Sequence, residues 1–170
     1  RMENLSRFIA GGRLLDVGCS NGALLKVARD YGFFPVGIEP DRWTAKEAMK
    51  RNSDLNVIEM AFESFMPFVQ DAGFEVITFI DSFEHMTRPR WVMAEVFRIL
   101  APGGLLVIET PDADAPSFRV LGPRWKHFKP LEHAFLWGKS HVIGLLISHG
   151  FRLLDTIVPY PDRRVYYARK

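Results

Sequence analysis

The chain has 170 residues, 48% hydrophobic and 25% charged, the composition of a soluble globular protein able to bury about 70% of its unfolded surface, so one domain over residues 1–170 is expected. Its one cysteine excludes a disulfide framework or a cysteine-based metal site, and its net charge of +2 is too small for a nucleic-acid footprint. No apolar run approaches the roughly 20 residues that span a bilayer, and no signal peptide is visible. The expectation is therefore a cytoplasmic protein with neither a membrane span nor a nucleic-acid partner, its oligomeric state open.

Arg1–Ile9 has the spacing of a short amphipathic helix through Leu5, Phe8 and Ile9. The stretch Leu14-Leu-Asp-Val-Gly-Cys-Ser-Asn-Gly22 then reads as strand and tight turn, and Ala23–Tyr31 repeats its apolar residues at helical spacing. A buried strand carries Asp16 to the carboxyl edge of the sheet, where open α/β sheets place ligands. Gly18 and Gly22 let the backbone turn sharply there, and the small Cys19 fits inside the turn. A second strand, Phe34–Ile38, ends at Glu39, followed by Pro40 and Asp41. A carboxylate at that place accepts both hydroxyls of a ribose through charge-assisted hydrogen bonds worth roughly 1.5–3 kcal/mol each. The dinucleotide fingerprint G-x-G-x-x-G finds Gly18, Ser20 and Ala23 in its three slots, so the glycine that admits a pyrophosphate is missing. A ligand without phosphates fits better, and a nicotinamide-dependent oxidoreductase is disfavoured.

Trp43–Arg51 predicts a helix, and Leu55–Met60 a short third strand ending in Ala61-Phe62-Glu63. Gly73–Ile80, dense in β-branched and aromatic residues, predicts a central parallel strand that delivers Asp81-Ser-Phe-Glu-His85 to the edge already holding Gly18 and Glu39. A helix over Arg90–Leu100 is stopped by Ala101-Pro-Gly-Gly104, before a fifth strand over Leu105–Glu109. Ser140 is the expected cap of a last helix ended by Gly150. Arg152–Val158 and Arg164–Ala168 complete the sheet as an antiparallel pair. The expected fold class is α/β: a Rossmann-like, seven-stranded, mostly parallel sheet with helices on both faces and an antiparallel last strand.

Leu14–Gly22 followed by Gly37-Ile-Glu-Pro40 resembles motifs one and two of class I S-adenosylmethionine-dependent methyltransferases, with Ser20 standing where D/E-x-G-x-G-x-G has its middle glycine. Helix, Pro-Gly-Gly and apolar strand match the same family, so the resemblance runs from about Leu14 to the end. Phe83-Glu-His85 and the Trp125…Glu132-His133…Trp137 segment resemble the small-molecule branch typified by ubiquinone-biosynthesis methyltransferases. The resemblance implies S-adenosylmethionine as cofactor and S-adenosylhomocysteine as product. It also implies a cofactor site of Asp16, Gly18, Ser20, Gly22, Glu39, Pro40, Ala61 and Phe62, closed at its methionine end by Asp81. Ala61 stands where relatives have an acid for the adenine amino group. Such enzymes have more chain before the first strand, so a trimmed beginning is expected.

The sulfonium methyl is already activated, so alignment with a nucleophile is the main task of the protein, and a hydroxyl nucleophile gains from a base. His85 and His133 are the candidate bases, with Asp81 and Glu84 behind them. Similar enzymes have been linked to a divalent cation near the Glu84-His85 position, but one Glu-His pair with Asp81 is a sparse donor set, and no metal is expected. Residues 111–137 form a candidate substrate lid rich in aromatic and basic residues, with Trp125, His127 and Trp137 as substrate-facing candidates. The expected activity is methyl transfer to a small molecule, O-methylation preferred over N or C. The alternative is a non-catalytic cofactor-binding scaffold of the same fold.

Overall fold

The structure, a computed structural model, describes residues 1–51 and 53–170. Its frame is a seven-stranded sheet in the order β3-β2-β1-β4-β5-β7-β6. The strands are β1 (Gly12–Val17), β2 (Phe33–Glu39), β3 (Asn56–Glu59), β4 (Phe74–Ile80), β5 (Leu100–Pro111), β6 (Arg152–Tyr160) and β7 (Arg163–Arg169). The first five run parallel, and β7 slots between β5 and β6, antiparallel to both. The strand order reverses between β1 and β4, which opens a crevice at their carboxyl ends.

Both faces of the sheet are covered, which is why its central strands read as continuous apolar runs. Alternate residues point to opposite faces. Leu15, Val17, Ile77 and Phe79 join the core beneath α5 (Pro89–Ile99) and α7 (Lys139–Ser148). Leu14 and Val76 join the core on the other face, with Leu5 of α1 (Met2–Ser6), Leu25 of α2 (Ala23–Asp30) and Ala45 of α3 (Arg42–Arg51). Among the described residues, no helix is long and apolar enough to cross a membrane.

Three local expectations are revised. The fifth strand begins at Leu100, not Leu105: Phe74 pairs with Leu100 and Val76 with Leu105, and the intervening Ala101-Pro-Gly-Gly104 bulges out. Gly103 has a φ of +74°, and a Cβ on Gly104 would lie 2.8 Å from the Ala101 carbonyl, so this pair of glycines makes the bulge possible. Ser140 lies inside α7 instead of capping it. The Lys139 amide donates to Asp114 Oδ2 (2.7 Å), a cap supplied from 25 residues away. The candidate lid of residues 111–137 also carries structure of its own, α6 (Pro116–Leu121) and a 3₁₀ turn over Gly122–Arg124. A short helix α4 (Phe62–Phe65) follows β3.

Candidate active site

At the carboxyl end of β1 the chain turns through three left-handed residues: Gly18 (φ +75°), Ser20 (φ +49°) and Gly22 (φ +74°). At Gly18 a side chain is ruled out by space as well as by φ, because its Cβ would lie 2.7 Å from Ser82 Cβ. Ser82 itself donates from its hydroxyl to the Val17 carbonyl, which ties the turn after β4 to the end of β1. Cys19 packs over Gly37, where a Cβ would meet its sulfur at 2.5 Å, and burial pushes its thiol up to about 12. The cysteine is thus an inert packing group.

A cleft of about 750 Å³ opens here. Gly18, Ser20, Glu39 and Pro40 form one side, Ala61 and Phe62 the far end, and Asp81 and His85 the other side. This volume lies within the usual range of small-ligand sites. Glu39 is held by two backbone amides: Ser20 N–H donates to Oε2 (3.0 Å) and Asp41 N–H to Oε1 (2.9 Å). Each carboxylate oxygen keeps acceptor capacity for a ligand.

Asp16 and Gly22 stand behind this wall. The β1–β4 register sets Asp16 opposite Thr78, whose hydroxyl donates to Oδ1 at 2.6 Å. Asp16 is only 3% exposed, and burial raises its carboxyl to about 6. Gly22 faces Leu55 and Ala48 and serves as the left-handed N-cap of α2.

Asp81 has a φ of +54°, an uncommon conformation for a residue with a side chain. Its amide donates to the Glu109 carbonyl (2.9 Å), and its carboxylate pairs with Arg163, the first residue of β7. Asp81 and His85 also line a second, polar pocket of about 310 Å³ beside the cleft. Here the lid meets the turn after β4. His85 Nδ1 lies 2.8 Å from the Glu132 carbonyl, and His133 Nδ1 lies 2.8 Å from that of His127. A carbonyl has no proton to give, so each Nδ1 is the donor and each neutral ring keeps its lone pair on Nε2. Burial holds His133 below its ordinary pKa, which keeps that ring neutral near pH 7.

The two imidazoles meet edge to face with centroids 4.9 Å apart. One potential donor atom each from Glu84, His85 and His133 lies within 4.8 Å of the others. The partner that joins Glu84 and His85 is thus His133, from the lid, whereas Asp81 is engaged by Arg163. Glu84 is 2% exposed and accepts from Thr110 Oγ1 (3.0 Å), and burial raises its carboxyl to about 7.

Of the lid candidates, His127 lines the polar pocket. Trp125 and Trp137 are placed otherwise. Trp125, 2% exposed, packs against Phe118 and the His127 ring, with centroids 5.0 and 4.9 Å away. Trp137 stacks between Phe83 and Phe135 in the core under α5 and α7. The segment is long enough to need a small core of its own, which Phe118, Trp125 and Phe128 supply. Three residues absent from the sequence-based selection do line the pocket: Lys126, Lys129 and Arg163. The lysines stood out in the sequence only as basic residues interleaved with aromatics. Arg163 stood in the sequence only within a basic cluster near the end of the chain, which reads as a solvated edge; the pairing of β7 with β5 brings it to the site.

Residues 1–156 match the family described as "Methyltransferase domain". The ubiquinone biosynthesis O-methyltransferase of Psychrobacter arcticus is 29% identical over 65% of this chain and 45% of its own length. The 27-O-demethylrifamycin SV methyltransferase of Amycolatopsis mediterranei is 31% identical over 72% of this chain and 50% of its own length. The chain thus spans about half the length of the curated relatives it matches. A solved SAM-dependent methyltransferase from Archaeoglobus fulgidus superposes with a TM-score of 0.81 over 99% of this chain and 90% of its own, at 15% identity.

Proposed function

This chain belongs to the methyltransferase-domain family, and we propose that it transfers the methyl group of S-adenosylmethionine to a small-molecule acceptor, with a hydroxyl oxygen as the preferred nucleophile. The observation that carries this reading is an adjacency. The cleft built around Glu39 and the pocket built around two histidines anchored through Nδ1 share Asp81 and His85.

The residues fit the cofactor. Glu39 offers two amide-positioned carboxylate oxygens to a ribose diol. Phe62, with Met60, gives the far end of the cleft apolar walls for a purine, and the Ala61–Phe62 backbone offers it polar groups. Gly18 and Ser20 present backbone to the middle of the ligand, and Asp81 stands where an amino-acid tail carries an ammonium. Asp16 and Gly22 act from behind, by bracing β1 against β4 and by starting α2. Once bound, the cofactor supplies a methyl group activated by its sulfonium.

The protein's own part is to align the acceptor and remove its proton. An acceptor hydroxyl in the polar pocket donates to Nε2 of His133 or His85, whose carbonyl-bonded Nδ1–H groups hold the rings in orientation. A positioned base of this kind contributes typically 10²–10⁴-fold. A divalent cation would find Glu84, His85 and His133 as its donors and would acidify a bound hydroxyl. His133, held neutral by burial, takes the proton without that assistance, so turnover is expected to survive chelation.

The test is turnover with methyl-labelled S-adenosylmethionine and a panel of hydroxylated acceptors, read by product mass. His133→Asn is expected to lower kcat at least about tenfold, with cofactor affinity unchanged. The same rate in the variant would remove His133 from the chemistry. Binding of S-adenosylmethionine with no turnover on any acceptor would favour the scaffold reading.

A further inference from the structure

We infer that the polar pocket beside the cleft is an anchoring subsite for a carboxylate, so that the acceptors are small hydroxy acids. This rests on the methyl-transfer reading above and narrows its substrate class.

The first observation is an excess of hydrogen-bond donors. Lys126 and Lys129 from the lid and Arg163 from β7 all line the pocket, brought there by two separate parts of the fold. Each head group has one acidic partner: Lys126 pairs with Asp162 (2.9 Å), Lys129 with Glu132 (2.9 Å) and Arg163 with Asp81. Among the described residues these are the only polar contacts of the three head groups. An ammonium carries three donors and a guanidinium five, so a single carboxylate leaves donors spare on all three. The ion pairs fix where the cations stand without exhausting them.

The second observation is independent of charge. His127 lines the same pocket and is only 9% exposed, yet its Nε2 has no hydrogen-bond partner among the described residues. A buried polar atom left unpaired costs about 1–3 kcal/mol, and a ligand oxygen in the pocket satisfies it.

The balance of charge sets the ligand's class. Asp81, Glu84 and Glu132 line the pocket as well. Asp81 and Glu132 are each taken up by a cation, and Glu84 bonds Thr110. These carboxyl groups oppose a doubly charged phosphate more than a singly charged carboxylate. A volume of about 310 Å³ admits one ring or a short chain. The nearby Nε2 atoms of His85 and His133 then require a hydroxyl on the same small molecule. A carboxylate held by Lys126, Lys129 and Arg163 orients that hydroxyl toward the shared wall of Asp81 and His85, which is also the wall of the cofactor cleft.

The experiment is calorimetric titration of the protein, first loaded with S-adenosylhomocysteine, with 4-hydroxyphenylacetate and with its uncharged twin 4-methylphenol. The acid is expected to bind at least about tenfold more tightly than the twin. In Lys126→Gln/Lys129→Gln that preference should fall to about threefold or less, while S-adenosylhomocysteine still binds. Both lysine side chains are exposed, so the double variant is expected to fold. Equal affinities, no binding of either twin, or an undiminished preference in the variant would each overturn the inference and leave the cofactor reading standing. Failure of S-adenosylhomocysteine to bind in the first step would instead overturn the methyl-transfer reading, and the subsite with it.

Discussion

The Glu39 carboxylate sits at the carboxyl edge of the sheet with one amide on each oxygen, and this fixes its direction before any ligand arrives. Glu39→Ala is therefore expected to weaken S-adenosylmethionine binding about 10–100-fold, the loss of one charge-assisted hydrogen bond or more, in a titration on folded protein. Unchanged affinity would take Glu39 off the ribose. Ser20 holds a left-handed conformation that glycine adopts freely, so its departure from the family pattern costs backbone strain and leaves the hydrogen bond from its N–H to Glu39 in place. Glu84 gives a pH test. Its folded pKa is raised to about 7 by burial, so the stability it contributes is fully present below its unfolded value of 4.5 and is lost as pH rises through about 7. Glu84→Gln does not ionise. The variant's stability relative to wild type should rise between about pH 4.5 and 7, by up to roughly 3 kcal/mol in urea unfolding, and then level off. A flat difference would mean that Glu84 titrates alike in both states. Gly18, Glu39 and Asp81 were legible in the sequence because each ends a strand or starts a turn. The burial of Asp16 was not, since it depends on Thr78 standing beside it on another strand.

The turn after β1 works as a unit with the turn after β4. Gly18 sits against Ser82 so tightly that Gly18→Ala must both strain its own backbone and push the two strand ends apart. The variant is expected to lose at least about 2 kcal/mol of stability and most of its cofactor affinity, measured by denaturant unfolding and calorimetry. Wild-type behaviour in both would mean that the turns move independently. The N-terminal helix α1 is tied to the end of β5 by Arg1, whose guanidinium donates to both oxygens of Glu109 (2.6 and 2.7 Å), a carboxylate with no exposure. Arg1→Met would leave that carboxylate buried and unpaired, a change that costs about 3–5 kcal/mol in similar settings. Here the sequence spoke only in part. Hydrophobic spacing found α1, α2, α3, α5 and α7, whereas the Arg1–Glu109 tie and the Asp114 cap of α7 join residues too far apart for any local pattern. The lid aromatics carried an ambiguous signal: aromatic rings wrap ligands or fill cores, and Trp125 packs against its neighbours while Trp137 stacks in the core and also lines a groove beside α7.

Across the whole molecule, the order β3-β2-β1-β4-β5-β7-β6 brings Gly18, Glu39 and the Asp81–His85 turn from three separate strand ends to one edge. The seven strands and the covered faces of the sheet could be read in advance, because parallel strands buried on both sides leave dense apolar runs. The polar pocket could not. It needs the lid laid over the turn after β4 and β7 inserted beside β5, a contact between segments that share no sequence pattern. Parallel calorimetric titrations with S-adenosylmethionine, S-adenosylhomocysteine and NAD decide whether this edge holds S-adenosylmethionine. Saturable binding of the first two with none of NAD is the predicted result. Binding of NAD alone, or of none of the three, would contradict it.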